Sequence, residues 1–376
     1  MIFTSDFETT TSNNGSPHDL SNKAVMIAYQ LDHQLPAYTT YMQNPLIQTY
    51  IDNATLLVFF NAKFDLHWYT RCGYDVESKP IWCCQLAEFL LSRQSIPYPS
   101  LEQTSVAYGL GHKIDVIKKK YWDKGINTDA IPTTLLSEYA CQDVELTYEI
   151  YLKQVERFKE HPQMYKLFRI ACQDLMFLKE MEKNGIPYNI ELCKQRALEV
   201  NDLITKIIEQ LNSIYPEVTI NFNSGDQLSS FLYGGPIYSE GKEHIGFYKT
   251  GEKIGQPKYR NVTYTAILPQ LVKPLKNSEL KKVGVYSTDA DTLRQLTGKA
   301  AKKFVQPLLE LSRLEKLRST YYEGLPKKAI EYGWESGVLH GQFNQCVAAT
   351  GRLSSSKPNQ QNWAEDCLDL FSSRYD

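Results

Sequence analysis

The chain has 376 residues, 42% of them apolar, with 41 Lys+Arg against 43 Asp+Glu and a net charge of −2. That length predicts two or three domains with substantial cores. No basic-then-apolar leader opens the sequence and no apolar run approaches membrane-spanning length, so a soluble, cytoplasmic protein with no membrane partner is expected. The eight cysteines form no C-x-x-C, and adjacent Cys83 and Cys84 have the wrong spacing for a zinc knuckle. They read as small buried apolar residues in a reducing compartment.

In chain order, Ile2 to Phe7 and Ala24 to Leu31 read as strands separated by a polar turn. Leu56 to Phe60 is a continuous apolar run, the pattern of a strand buried on both faces. Asn61 is placed to cap a helix through Phe64, Leu66, Trp68 and Tyr69. A second helix is expected around Leu86 to Leu91, then a Pro- and Lys-rich loop to residue 132, then a pair of helices over 133–158 capped by Thr133 or Thr134. The alternation describes an α/β domain ending near residue 158.

Beyond it, Met164, Leu167, Ala171, Leu175 and Leu178 predict a helix over 163–183 that stops at Asn184-Gly185. Val200, Leu203, Ile204, Ile207, Ile208 and Leu211 predict another, capped by Asn189. Phe304, Leu308, Leu311 and Leu314 predict a third over 300–322. Residues 234–270, rich in Gly, Lys and Tyr, read as a hairpin-bearing insertion or a mobile loop. Residues 1–150 hold 10 Lys+Arg and 17 Asp+Glu, so the front is acidic and the rest basic. That asymmetry fits a metal-using nuclease followed by a part that grips nucleic acid.

The first strand ends in Asp6-Phe7-Glu8, and residues i and i+2 share a face. Two carboxylates held together repel unless a cation separates them, and hard divalent ions choose carboxylate oxygens. Asp65 falls in the first turn of the helix after the apolar strand, where the helix N-terminus favours its charge. Tyr139 and Asp143 stand one helical turn apart. Each alone is an ordinary surface or capping group, whereas the ordered set is uncommon.

With these motifs, residues 1–155 resemble the proofreading 3′–5′ exonuclease domain shared by DNA polymerases and ribonuclease D-type enzymes, in the subgroup with Tyr in its third motif. The resemblance implies a ribonuclease H-like α/β fold and two divalent metal ions, Mg²⁺ or Mn²⁺. It assigns Asp6 as bridge, Glu8 and Asp143 to the nucleophile-side metal, Asp65 to the leaving-group metal and Tyr139 to the attacking water. Thr9 is a candidate contact to the terminal nucleotide. Phe64 and Trp68 are stacking candidates better explained by core packing.

A second signal is Thr350-Gly351-Arg352-Leu353-Ser354-Ser355 followed by Pro358-Asn359-Gln360-Gln361-Asn362. Its side chains can donate to phosphates and to minor-groove acceptors, which occupy similar places for every base pair. It resembles the thumb–palm segment of the family A (bacterial DNA polymerase I-like) DNA polymerases, although Gln360 and Trp363 depart from the usual Leu and Ile-Pro. Leu314 to Tyr321, Asn221 to Ser224 with Gln227-Leu228, and Ser287-Thr288 before Leu293 follow the same family. The resemblance implies primer-template contacts by Arg352, Asn359, Gln361 and Asn362, and backbone contacts by Lys316 and Arg318.

The expected architecture is an α/β ribonuclease H-like exonuclease domain (1–158), a mainly α-helical thumb (159–340) with an insertion at 234–270, and the start of a palm (341–376). The first palm strand is expected near Ser373 to Asp376, leaving the catalytic palm residues to a C-terminal polymerase half. Polymerisation by the chain alone is therefore not expected, and the resemblance suggests a phage enzyme. The substrates implied are primer-template and single-stranded 3′ ends. Two alternatives stay open: a stand-alone ribonuclease D-like RNA exonuclease, and a non-catalytic DNA-binding fragment.

Overall fold

An eight-residue strand, β1 (Ile2–Thr9), is the axis of a five-stranded sheet. The computed structural model describes residues 1–373 except 115 and 252; the palm strand expected near residues 373–376 thus falls largely outside the described residues. β2 (Ala24–Leu31) pairs antiparallel with β1 and with β3 (Ala37–Thr39). Helix α1 (Pro45–Asn53) leads into β4 (Leu56–Phe59), which runs parallel to β1, and α2 (Ala62–Arg71) leads to β5 (Ile81–Cys83), parallel to β4. The sheet order is β3-β2-β1-β4-β5. Leu57, Val58 and Phe59 are fully buried, as a strand covered on both faces requires.

Helix α3 (Cys84–Leu91) follows β5 directly. The segment expected as a loop to residue 132 instead contains α4 (Leu101–Ala107) and α5 (Val116–Lys120). α4 begins with a capping box: Ser100 Oγ accepts from Gln103 N–H, and the Gln103 side chain answers at Ser100 N–H. The expected helix pair over 133–158 is one helix, α6 (Thr133–Glu160), because no Gly or Pro interrupts it. Pro132, not a threonine, holds its N-cap position, and no side chain caps it.

α7 (Pro162–Asn184) buries Leu175 and Leu178 with Met164 and Ala171 packed on the core as expected, adds Phe168 and Cys172 to that face, and leaves Leu167 exposed. Phe168, Cys172 and Leu175 belong to the same apolar cluster as Phe3, Phe59 and Trp82. The two-residue strand β6 (Ile186–Pro187) then ends this part of the chain's first pass.

The chain divides into two compact units, one of residues 1–190 with 325–376 and one of residues 191–324. These limits differ from the 158 and 340 drawn from sequence, because α7 packs into the first core and the last fifty residues return to it. The second unit begins as α8 (Ile190–Asn212) proceeds, burying Val200, Ile204 and Leu211 while Leu203 is exposed. α9 (Gly225–Tyr233) follows, then a long hairpin of β7 (Gly235–Phe247) and β8 (Pro257–Leu268), so the hairpin alternative holds for 234–270. After α10 (Ala290–Arg294), α11 (Gln306–Lys316) is flanked by π-helical turns at Ala301–Val305 and Leu317–Tyr322, making the third expected helix continuous.

α12 (Gly324–Glu331) returns to the first unit, where β9 (Val338–Leu339) pairs with β6, and β10 (Gln342–Asn344) pairs with β11 (Ser354–Ser356). One carboxylate ties this return to the sheet domain. Glu182 of α7 is buried, and its Oε1 accepts from Lys63 Nζ at 2.6 Å and from Phe343 N–H at 2.6 Å. Its Oε2 accepts from His67 Nε2 at 2.9 Å, and Lys63 also donates to the Phe343 carbonyl. Burial raises the Glu182 carboxyl, but His67 and Lys63 outweigh it and hold the group below its usual range. Among the described residues all eight cysteines are free thiols, and no helix is long and apolar enough to cross a membrane.

Candidate active site: a buried carboxylate centre

β1 carries Asp6 opposite Ala28 and Glu8 opposite Met26, and a bulge follows Glu8. Its parallel pairing with β4 covers only Ile2 to Thr4, which leaves the Phe7 amide beyond the ladder. Asp65 fills that place: from the first turn of α2 its Oδ1 accepts the Phe7 N–H at 3.1 Å. Asn61 stands at the N-cap of α2 without a side-chain capping bond, so the expected cap is positional only. α6 lies against β1 and β2 and brings Tyr139 and Asp143 to the same place. Tyr139 and Asp143 stand one turn apart on this helix, and the Lys113 ammonium reaches both of them.

One oxygen from each of Asp6, Glu8 and Asp143 lies within 4.8 Å of the others. They line a cleft of about 450 Å³ with Asp65, Thr9, Phe64, Trp122 and Leu101. Glu8, Asp65 and Asp143 are buried, and Asp6 is partly open to the cleft. Burial, then the negative charge of Asp143, pushes the Asp6 carboxyl up to about 7. Burial and neighbouring acids raise Glu8 and Asp65 well above the carboxylate range, and burial raises Asp143. Such a set is at odds with its own charge unless a cation joins it.

Lys113, which the sequence reading did not single out, supplies part of that cation. Its Nζ lies 2.5 Å from Asp143 Oδ2, 3.0 Å from the Tyr139 hydroxyl, and over the Tyr139 ring at 4.9 Å. A lysine in a connecting segment, 26 residues before Tyr139, has no sequence signal; only the fold brings it here. Asp143 Oδ1 remains buried without a hydrogen-bond partner, and one ammonium cannot neutralise four acids. The donor set is all oxygen, the chemistry that hard divalent cations choose. The residues present fit divalent metal.

Thr9 is buried at the cleft, its Oγ1 bonded to the Thr10 carbonyl at 3.1 Å. Gly15 closes over it with φ of +70°, and a Cβ there would stand 2.4 Å from Thr9 Oγ1. Trp68 is core, with its Nε1 donating to the Gly15 carbonyl at 3.1 Å. Phe64 packs on the core yet also lines the cleft, so its expected fate is only half met. The other predicted contact residues do not join this centre. Arg352, Asn359, Gln361 and Asn362 are exposed around β11, with Gln361 Nε2 donating to the Leu353 carbonyl at 3.2 Å. Lys316 and Arg318 belong to the second unit, where Arg318 Nη1 donates to Asn201 Oδ1 at 2.7 Å.

A carboxylate centre at the end of a central strand, with a helix-borne tyrosine beside it, defines a nuclease-type domain. Residues 20–159 match the 3′–5′ exonuclease family profile, with Asp65, Tyr139 and Asp143 inside the match and Asp6 and Glu8 ahead of it. Residues 261–366 match the DNA polymerase family A profile. Over these two segments the chain is similar to the 3′–5′ exonucleases and to the polymerase domain of the family A DNA polymerases. DNA polymerase I of Bacillus subtilis is 28% identical over 258 residues, covering 69% of this chain and 24% of the relative. The DNA polymerase of Escherichia phage T5 is 24% identical over 338 residues, covering 82% of this chain and 34% of the relative. The chain thus spans a quarter to a third of the length of these relatives. The fold is similar to the POL domain of Pol1 from M. smegmatis, solved in complex with DNA primer-template and dNTP. The TM-score is 0.69 at 19% identity, over 98% of this chain and 54% of that one.

Proposed function

We propose that this chain removes nucleotides from DNA 3′ ends by metal-dependent phosphodiester hydrolysis, as the proofreading site of a family A polymerase. The observation that carries the reading is the convergence of Asp6, Glu8, Asp65 and Asp143 with Tyr139 in one cleft. The sheet order and the two parallel pairings of β1-β4-β5 support a ribonuclease H-like fold for this domain. Asp6, Glu8 and Asp143 would hold one divalent cation, and Asp65, which lines the same cleft, would help hold a second. Two bound divalent cations supply a nucleophilic hydroxide and neutralise the leaving 3′-oxygen.

The remaining work falls to the chain's own groups. Tyr139 keeps its proton, because burial and the charge of Asp143 hold its hydroxyl far above neutrality, so it orients water by hydrogen bonding and not as a base. Lys113 donates to the Tyr139 hydroxyl and offsets charge on Asp143. Phe64 and Thr9 at the cleft mouth position the terminal nucleotide. Residues 191–324 act as a thumb on which Lys316 and Arg318 meet the DNA backbone, and 341–376 open a palm in which Arg352, Asn359, Gln361 and Asn362 contact primer-template. The polymerase family match at residues 261–366 favours DNA over RNA as substrate.

The test is a divalent-dependent digestion of matched single-stranded DNA and RNA oligonucleotides. Asp6→Ala with Glu8→Ala abolishes DNA cleavage while circular dichroism is unchanged. Cleavage at the parental rate by that double variant refutes the site, and digestion confined to RNA refutes the substrate.

A further inference from the structure

β7 and β8 form a two-stranded ribbon paired from Gly235–Leu268 out to Phe247–Pro257, with one bulge between His244 and Gly246. At about 3.3 Å per residue its thirteen-residue strand makes an arm roughly 40 Å long. Among the described residues the buried ones lie at the root, where Ile237 and Leu268 are buried and α9 lies against β7. Phe247 and Tyr259 are 59% and 52% exposed at the far end. A lone two-stranded ribbon is marginal in water, and exposed apolar groups in a cluster mark a contact surface.

Cross-strand partners share a face, so His244 and Tyr259 stand side by side. Their ring centroids are 5.5 Å apart, and Phe247 packs edge-on against His244 at 5.1 Å. Lys242 is the next residue inward on that face, and Lys249 and Lys253 are exposed in the connecting turn. Lys and Arg outnumber Asp and Glu by five to three between residues 235 and 268. Exposed rings interleaved with cations, without a core behind them, match an unpaired polyanion that presents flat bases. Duplex DNA hides its base faces and would use only the cations; an apolar protein surface would use only the rings.

We propose that this ribbon binds single-stranded DNA, with bases stacking on the His244–Tyr259–Phe247 face and phosphates meeting Lys242 and Lys249. The site goes beyond the exonuclease reading, since it needs neither the carboxylates nor a 3′ end. The probe is a labelled circular single-stranded oligonucleotide, which has no end to enter the cleft. Its binding to the full chain is followed by fluorescence anisotropy in EDTA. Phe247→Ala with Tyr259→Ala weakens binding about tenfold or more. Lys242→Gln with Lys249→Gln lowers the salt slope of log K by about 1.4. Exonuclease digestion of a trinucleotide and the thermal midpoint stay at parental values in both pairs. Parental affinity of the ring variant for the circle overturns the proposal, as does an equal loss of affinity for a blunt duplex.

Discussion

Asp6→Asn removes a proposed metal ligand, yet it is expected to make the metal-free protein more stable. In the folded chain the Asp6 carboxyl titrates at about 7, against 3.8 as the ordinary value, because burial and Asp143 oppose its charge. Between those values the folded state binds more protons than the unfolded one, so stability is full below 3.8 and is lost as pH rises through 7. About three pKa steps correspond to roughly 4 kcal/mol at about pH 8, and the water that reaches Asp6 from the cleft reduces this to ~2–4 kcal/mol. Asparagine keeps the shape without the charge. The assay is urea unfolding in EDTA, followed by the fluorescence of Trp68, Trp82 and Trp122, which all lie in this domain. The variant gains stability at about pH 8, and the gain shrinks as pH falls toward 4. Added Mg²⁺ or Mn²⁺ then stabilises the parental protein more than the variant, by mass action. A difference between the two proteins that is the same at both pH values refutes the electrostatic account of the centre.

Three further outcomes follow from the geometry. Lys113→Met slows cleavage of single-stranded DNA by about tenfold to a hundredfold, and Lys113→Arg recovers part of the rate; parental turnover in Lys113→Met removes Lys113 from the site. Glu182→Ala strands the mostly buried Lys63 ammonium and costs about 3–5 kcal/mol of urea stability, so a loss below about 1 kcal/mol contradicts the described tie. His18 is held neutral, its pKa lowered to about 2 by burial first and then by His67, His340, Arg71 and Lys63. Its contribution to stability is therefore present above 6.5 and lost as pH falls, at up to about 1.4 kcal/mol per pH unit. Thermal midpoints of His18→Asn measured from neutral to acid pH show a flatter decline than the parental chain.

The parts of the site that could be read from sequence are those fixed by local periodicity. Asp6 and Glu8 share a face because strands repeat every two residues, and Tyr139 and Asp143 meet because helices turn every three to four. Asp65 was placed by the strand-to-helix switch at Phe60-Asn61. Lys113 was not legible, since its partners come from α6, far along the chain. The reach of the first compact unit past residue 159, where the exonuclease profile match ends, is not legible for a related reason. Phe168 and Leu175 look like any amphipathic stripe, and nothing local says that the stripe faces the first core. No breaker in residues 133–158 justifies two helices there, and Ser100 with Gln103 is a local capping signal for α4.

Glu182 bears on how such chains can be exchanged in evolution. Its carboxylate grips α2, the helix that carries Asp65, and in the same grip holds Phe343, which lies inside the segment matching the polymerase family. The two family segments therefore share a structural member. A recombination that joins this chain's residues 1–158 to a foreign polymerase segment keeps every proposed metal ligand and still loses the clamp on the helix beneath one of them. Residues 1–190 and 325–376 form one compact unit, so a cut at residue 158 falls inside it.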